Sequence, residues 1–286
     1  MIERCATTIA AVSTVQPPPV RLDDDEALGI QLDLSAPGEP LVIAFGGLAE
    51  RGNQPAFEFA RFTSRLGAQR ALLRDHHRAW YHRGVRGIGD DLPAVEERLR
   101  EVVAEARPSR VVVVGASAGG FAAMLLGHRI DADVVHAFAP QTFIAPELRR
   151  RHREPRWRRE VDSLVASGRY DARFGDVVPV LREQPRRTIH HLWYDVVEQE
   201  DVVHATHVAG IPSVRLHAFP EGGHHIVRWL RDAGHLDPIV ESALAGTDPG
   251  RRPGEIEPVL RTRPSAAWIA RRRWWQVRHR RAGTSG

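Results

Sequence analysis

Apolar residues fall along this chain in two rhythms: short solid runs, and longer stripes that return every three or four positions. The solid runs suit strands buried on both faces, and the stripes suit helices laid over them. Residues 41–45 (Leu-Val-Ile-Ala-Phe) form one such run, ended by Gly46-Gly47. Residues 69–73, 111–114, 134–139, 188–193 and 213–219 repeat the pattern, and residues 28–34 alternate weakly enough for an edge strand. Between the runs, residues 56–66 carry Phe57, Phe59, Phe62 and Leu66 at helical spacing. After Asp91, a residue suited to cap a helix, Pro93 sits in the first turn and Val95, Leu99, Val102 and Ala106 make one stripe. Residues 121–126 predict a third helix, 202–208 a short one and 225–244 a closing helical segment. Strand and helix alternate, which predicts an α/β fold: a mostly parallel central sheet with helices on both faces.

The rhythm breaks twice. Residues 143–186 crowd seven arginines between positions 149 and 159, interleaved with Glu154 and Glu160, and predict a small helical cap inserted into the domain. Residues 248–286 are rich in Pro, Gly and Arg and predict a flexible tail; residues 1–24, with three consecutive prolines, predict a disordered leader. The domain itself then spans 25–247. Charge sharpens this division, because residues 251–286 hold ten arginines against Glu255 and Glu257, a balance of +8 in a chain of net +4, leaving −4 for residues 1–250. The basic character belongs to the tail. All 40 basic residues are arginine, which points to coding bias and weakens any argument from a single one. The lone Cys5 allows no internal disulfide, residues 5–15 are too polar for a signal peptide, and no run nears the roughly 18 apolar residues that span a bilayer. A cytoplasmic location is the expectation.

Candidate chemistry centres on residues 111–120, Val-Val-Val-Val-Gly-Ala-Ser-Ala-Gly-Gly. A buried strand that turns sharply into a helix lifts Ser117 onto a strained corner, where the residues two before and two after must be nearly without side chains. Gly115 and Gly119 meet that demand. A serine hydroxyl is a poor nucleophile near neutral pH and needs a base, which in turn needs a carboxylate to hold its tautomer. Downstream, the glycine turn 220–223 delivers His224, with His225 as its neighbour and rival. The acid is Asp201, with Asp195 as the second contender and Glu198 a remote third. An oxyanion would meet the N–H of Ala118 and that of Gly47 or Leu48, where adjacent glycines permit close backbone approach.

The chain order Ser117, Asp201, His224, together with Gly-Ala-Ser-Ala-Gly-Gly and Phe-Gly-Gly-Leu, resembles the α/β-hydrolase superfamily over about residues 26–245. The resemblance implies an eight-strand type of mostly parallel sheet, a serine triad, and a cap between the sixth and seventh strands that matches residues 143–186. Phe45 stands where many lipases and esterases of that superfamily have histidine before the oxyanion glycines.

Three other features bear on function. The loop 74–82 is unusually rich in aromatics and histidines; Trp80 and Tyr81 either line a substrate pocket or pack over the sheet edge beside an Arg74–Asp75 ion pair. No Glu or Cys at ligand spacing accompanies those histidines, so no metal site is expected, and no organic cofactor is required. The arginines of the cap either select an anionic substrate, such as a carboxylate or a phosphopantetheine-linked acyl group, or form a solvated face. The tail, with Trp268, Trp274 and Trp275 among its arginines, offers contact to an anionic membrane or to nucleic acid. These features leave three readings: a serine hydrolase of ester or thioester bonds acting on a small acyl substrate; an acyltransferase using the same residues; and a non-catalytic binding module tethered by its tail.

Overall fold

A computed structural model describes residues 29–34, 36–48, 57–183 and 187–270. The leader 1–24 and residues 271–286 of the tail lie outside these.

Seven strands form one sheet in the order β1-β3-β2-β4-β5-β6-β7. They are β1 (Ile30–Asp33), β2 (Leu41–Phe45), β3 (Gln69–Leu73), β4 (Val111–Ala116), β5 (Val134–Phe138), β6 (Ile189–Asp195) and β7 (Val214–Phe219). All neighbours pair in parallel except the edge strand β1, which runs antiparallel to β3 with Ile30 opposite Leu73. The α/β class read from the apolar rhythm is the class observed. The described residues contain seven strands where the resemblance implied eight, and the cap accordingly follows the fifth strand.

The solid runs are solid because both faces of the sheet are covered. Along β2, Leu41, Ile43 and Phe45 join one hydrophobic cluster while Val42 and Ala44 join another, and Val111 to Val114 divide the same way. The first cluster includes α2 (Leu92–Ala106), α3 (Ala118–Arg129) and α7 (Gln199–Val208); the second includes α8 (Ile226–Asp232) and α9 (Leu236–Leu244). Asp91 caps α2 as its sequence position predicts, accepting the N–H of Ala94 at 2.9 Å.

Some helices are shorter than their periodicity suggests. The helix expected over 56–66 begins outside the described residues; of residues 57–66 only Ala60–Thr63 is helical (α1), because Phe59 enters it with φ 67°, in the left-handed region, and Phe59 and Phe62 are buried all the same. The closing segment divides into α8 and α9 at Gly234, where φ is 74°. The cap likewise divides into α4 (Pro146–His152), α5 (Arg158–Ala166) and α6 (Val177–Glu183), with Arg153 and Trp157 in left-handed turns between the first two.

The described part of the tail lies against the domain. Ile256 donates its N–H to Ala218 of β7 at 2.9 Å, covering that exposed sheet edge. Val259 accepts the Tyr194 hydroxyl at 3.0 Å, Arg261 donates its N–H to the Thr206 hydroxyl at 2.6 Å, and the Trp268 indole donates to Glu200. Over residues 255–268 the segment makes contacts with β6, β7 and α7. No described helix is long and apolar enough to cross a membrane.

Candidate active site

Parallel strands bring the ends of β2, β4, β6 and β7 to one edge, and strand order reverses between β2 and β4, the position at which open α/β sheets place their ligands, outside the carboxyl ends of the strands. Ser117 stands there, between β4 and α3, with φ 53° and ψ −116°. Such a conformation costs a residue with a Cβ on the order of 1–3 kcal/mol, and the surrounding contacts over-determine it. The Ser117 N–H donates to Phe138 O at 2.9 Å, and its carbonyl accepts from Phe121 at 3.1 Å and Gln141 at 3.2 Å. The flanking glycines are obligatory: a Cβ on Gly115 would lie 2.2 Å from Gly119 O, and one on Gly119 would lie 2.2 Å from Phe45 O.

His224 reaches Ser117 from the loop after β7. Its Nε2 lies 3.0 Å from Ser117 Oγ, and its Nδ1 lies 3.0 Å from both carboxylate oxygens of Asp201. Facing a carboxylate, Nδ1 carries the proton, which leaves the Nε2 lone pair to accept from the serine hydroxyl. His225 is exposed, and it is His224 that makes the hydrogen bonds to Ser117 and Asp201.

Asp201 sits in the first turn of α7, rather than just before the helix, and is 1% exposed. Asp195 is buried too, yet holds the backbone: its Oδ1 accepts the N–H groups of Val197 and Glu198, and its Oδ2 accepts Gly223 N–H at 2.8 Å. Of the two contenders, Asp201 meets the imidazole and Asp195 ties down the residue before it.

Two charged neighbours were not legible in the sequence. Arg156, from the cap, donates through Nη1 to Asp201 Oδ1 at 2.6 Å and lies 3.2 Å from His224 Nδ1. Both groups are donors, so they share the Asp201 carboxylate rather than bond to each other. Burial alone would raise the Asp201 pKa, but His224 and then Arg156 outweigh it and hold the carboxyl below its ordinary value. Arg156 is itself clamped by Glu154 (Nε–Oε1 3.0 Å, Nη2–Oε2 2.9 Å), and Glu154 accepts from His204 Nε2 at 3.1 Å. Because His204 Nδ1 accepts the Thr142 N–H at 3.0 Å, its proton belongs on Nε2; burial pulls its pKa down to about 4. Seven arginines crowded into one short stretch gave no means of telling which one turns inward.

The second neighbour is Glu58. Its Oε2 accepts the Gly47 N–H at 2.8 Å, the very donor assigned to an oxyanion, and burial raises its carboxyl above the usual value although Gly47 and His224 pull the other way. Gly47 is close enough to the elbow that an added Cβ would meet Ser117 Cβ at 3.8 Å. Leu48 is buried beside it, and Ala118 opens α3, where an N–H has no preceding turn to bond.

Trp80 and Tyr81 are wholly buried, in the left-handed region, and line no described cavity at the serine. Trp80 Nε1 donates to Gln141 Oε1 at 2.6 Å, and the Tyr81 hydroxyl donates to Gly46 O at 2.9 Å. They brace the elbow and the end of β2 from within the core, which favours packing over a pocket wall. Asp75 organises their loop by accepting the N–H groups of His77, Ala79 and Tyr81 at 3.1, 2.7 and 3.1 Å. Among the described residues no group of three or more His, Cys, Asp or Glu is placed to hold a metal ion.

No family model matches the chain, and no curated protein matches it. Solved structures do. The chain is similar to the capsule O-acetyltransferase of Neisseria meningitidis serogroup A, with 12% identity over 73% of this chain and 90% of that one, at a TM-score of 0.54. It is also similar to Pyrococcus horikoshii acylaminoacyl peptidase, with 12% identity over 78% of this chain and 39% of that one, at a TM-score of 0.53. At such identities the likeness establishes the fold.

Proposed function

We propose, from the premise that this chain has the α/β-hydrolase fold, that it is a serine hydrolase of ester or thioester bonds working through an acyl-enzyme. The observation that carries the reading is the hydrogen-bonded series Ser117 Oγ, His224, Asp201, with 3.0 Å at each link. Ser117 Oγ attacks the acyl carbon as its proton passes to His224 Nε2. The imidazolium so formed is stabilised by Asp201, and the oxyanion is held by the N–H of Ala118 and that of Gly47 or Leu48. Collapse of the tetrahedral adduct expels the alcohol or thiol, which takes the proton back from His224. Water then repeats the sequence on the acyl-enzyme, giving the free acid and the serine. No metal or organic cofactor enters this scheme.

The test is a fluorophosphonate probe, which phosphonylates an activated serine. Wild-type protein should be labelled and hydrolyse a model acetate ester; Ser117→Ala should lose labelling and at least a thousandfold in kcat, on the order seen when triad members are removed. Equal labelling of the two proteins would dismiss the mechanism.

A second reading keeps the acyl-enzyme and replaces water by a hydroxyl, amine or thiol acceptor. The likeness to an O-acetyltransferase over nine-tenths of that chain favours it. Added alcohols, amines or thiols should then divert the acyl group from hydrolysis, measured as the ratio of transfer product to free acid.

A further inference from the structure

Positive charge in the cap exceeds what its acids neutralise, and the excess gathers around one cavity of about 820 Å³. Arg149, Arg150, Arg153, Arg156 and Arg158 line it, with Glu154 and Asp162 as the only lining acids, a balance of +5 − 2 = +3. Glu154 is taken up by Arg156 and His204, and Asp162 lies 3.5 Å from Arg158. Arg149, Arg150 and Arg153 have no carboxylate within ion-pair distance among the described residues. Arg149 is 8% exposed and donates to the carbonyl of Arg156, an acceptor without the countercharge that a buried guanidinium calls for.

We propose that this cavity is a binding site for a phosphate-bearing anion. Three guanidinium forks offer more donors than a single carboxylate can accept, whereas a diphosphate presents enough oxygens to engage all three bidentately. The volume exceeds what the phosphates need and leaves room for an organic substituent. Position gives the site a route to the serine: Arg156 forms part of the cavity wall and also holds Asp201, so a ligand that shifts Arg156 reaches His224 through one carboxylate. This coupling rests on the proposed role of Ser117, His224 and Asp201; the binding itself does not.

Calorimetric titration of inorganic pyrophosphate into the full chain tests the site. Wild type and Ser117→Ala should bind with like affinity, weakening as sodium chloride is raised. Arg150→Ala/Arg153→Ala, which alters two exposed side chains and should keep the wild-type melting temperature, should bind at least tenfold more weakly. No heat at millimolar pyrophosphate in low salt, or equal binding by the folded double variant, would overturn the proposal. If Ser117 proves unreactive while pyrophosphate still binds, the serine reading fails and this one stands. The source of the phosphate shows in turnover: an effector changes kcat/KM for a neutral acetate ester, whereas the phosphate arm of a substrate leaves that ester alone and makes pyrophosphate compete with a phosphate-bearing ester.

Discussion

Asp195, at the end of β6, and Asp201, in the first turn of α7, are both buried acids, and they divide two tasks. Asp201 carries His224, so Asp201→Asn should lower kcat by about 10⁴-fold through loss of the required tautomer, and should also lower the melting temperature, because the buried Arg156 loses one of its two countercharges. Asp195 carries three partly buried backbone N–H groups, one of them from Gly223, so Asp195→Ala should leave them without their carboxylate acceptor and free the turn that precedes His224. With water able to reach part of the site, the net loss is about 0.5–1.5 kcal/mol per bond, which predicts a drop in melting temperature, measurable by calorimetry, before any effect on ester turnover is normalised. Glu58 poses the opposite case: its carboxyl occupies the Gly47 donor and, once ionised, opposes a developing oxyanion beside it. Glu58→Ala should therefore raise kcat for a small ester by about tenfold, a fraction of what one oxyanion donor supplies. A fall in kcat would assign Glu58 a working part in the reaction. In the sequence Glu58 stands among phenylalanines at helical spacing, and nothing local marks a glutamate that will meet a glycine eleven residues earlier.

The strand, turn and helix of the elbow form the element whose sequence needed least help from the rest of the fold. Four valines, a glycine on either side of the serine and the apolar helix that follows all answer to local sterics. Gly119→Ala should accordingly fail at this scale: its methyl would meet Phe45 O at 2.2 Å, backbone against backbone, with no flexible side chain to yield. The variant should melt well below wild type and lose fluorophosphonate labelling together; retention of both would show that β2 and the elbow can separate. The helix expected over 56–66 fared worse. Its spacing of phenylalanines was real, but those rings pack on the sheet from one turn of helix and irregular backbone, so periodicity reported burial and overstated regularity. The cap shows the same limit: its charges mark a helical insertion, while left-handed turns at Arg153 and Trp157 decide that Arg156 points inward.

Over the whole molecule the buried histidines tie stability to pH. Burial lowers His82, His191 and His204 to about 4 and His190 to about 3, and places His136 well below its ordinary value. Between those values and about 6.5 the unfolded chain binds protons that the folded one refuses, so stability is present above that window and is lost as pH falls through it. The melting temperature should drop by on the order of 10 °C between pH 7 and pH 5, and a flat profile would contradict these burials. Ring stacking of His136, His191 and His217 along β5, β6 and β7, with His217 held by Glu255 of the tail at 3.0 Å, shows how far this core is joined.

The amino-acid sequence by itself determined the alternation of strands and helices, the elbow around Ser117 and the arrival of an acid and a histidine in the right order, because solid apolar runs, helical stripes and glycines in tight turns are governed by neighbours in the chain. Only the tertiary structure decided that Asp201 rather than Asp195 meets His224, that Arg156 backs it, that Glu58 takes the Gly47 donor, and that Trp80 and Tyr81 turn into the core. Each of those is a distance between residues far apart in sequence, set by where the sheet places the ends of its strands.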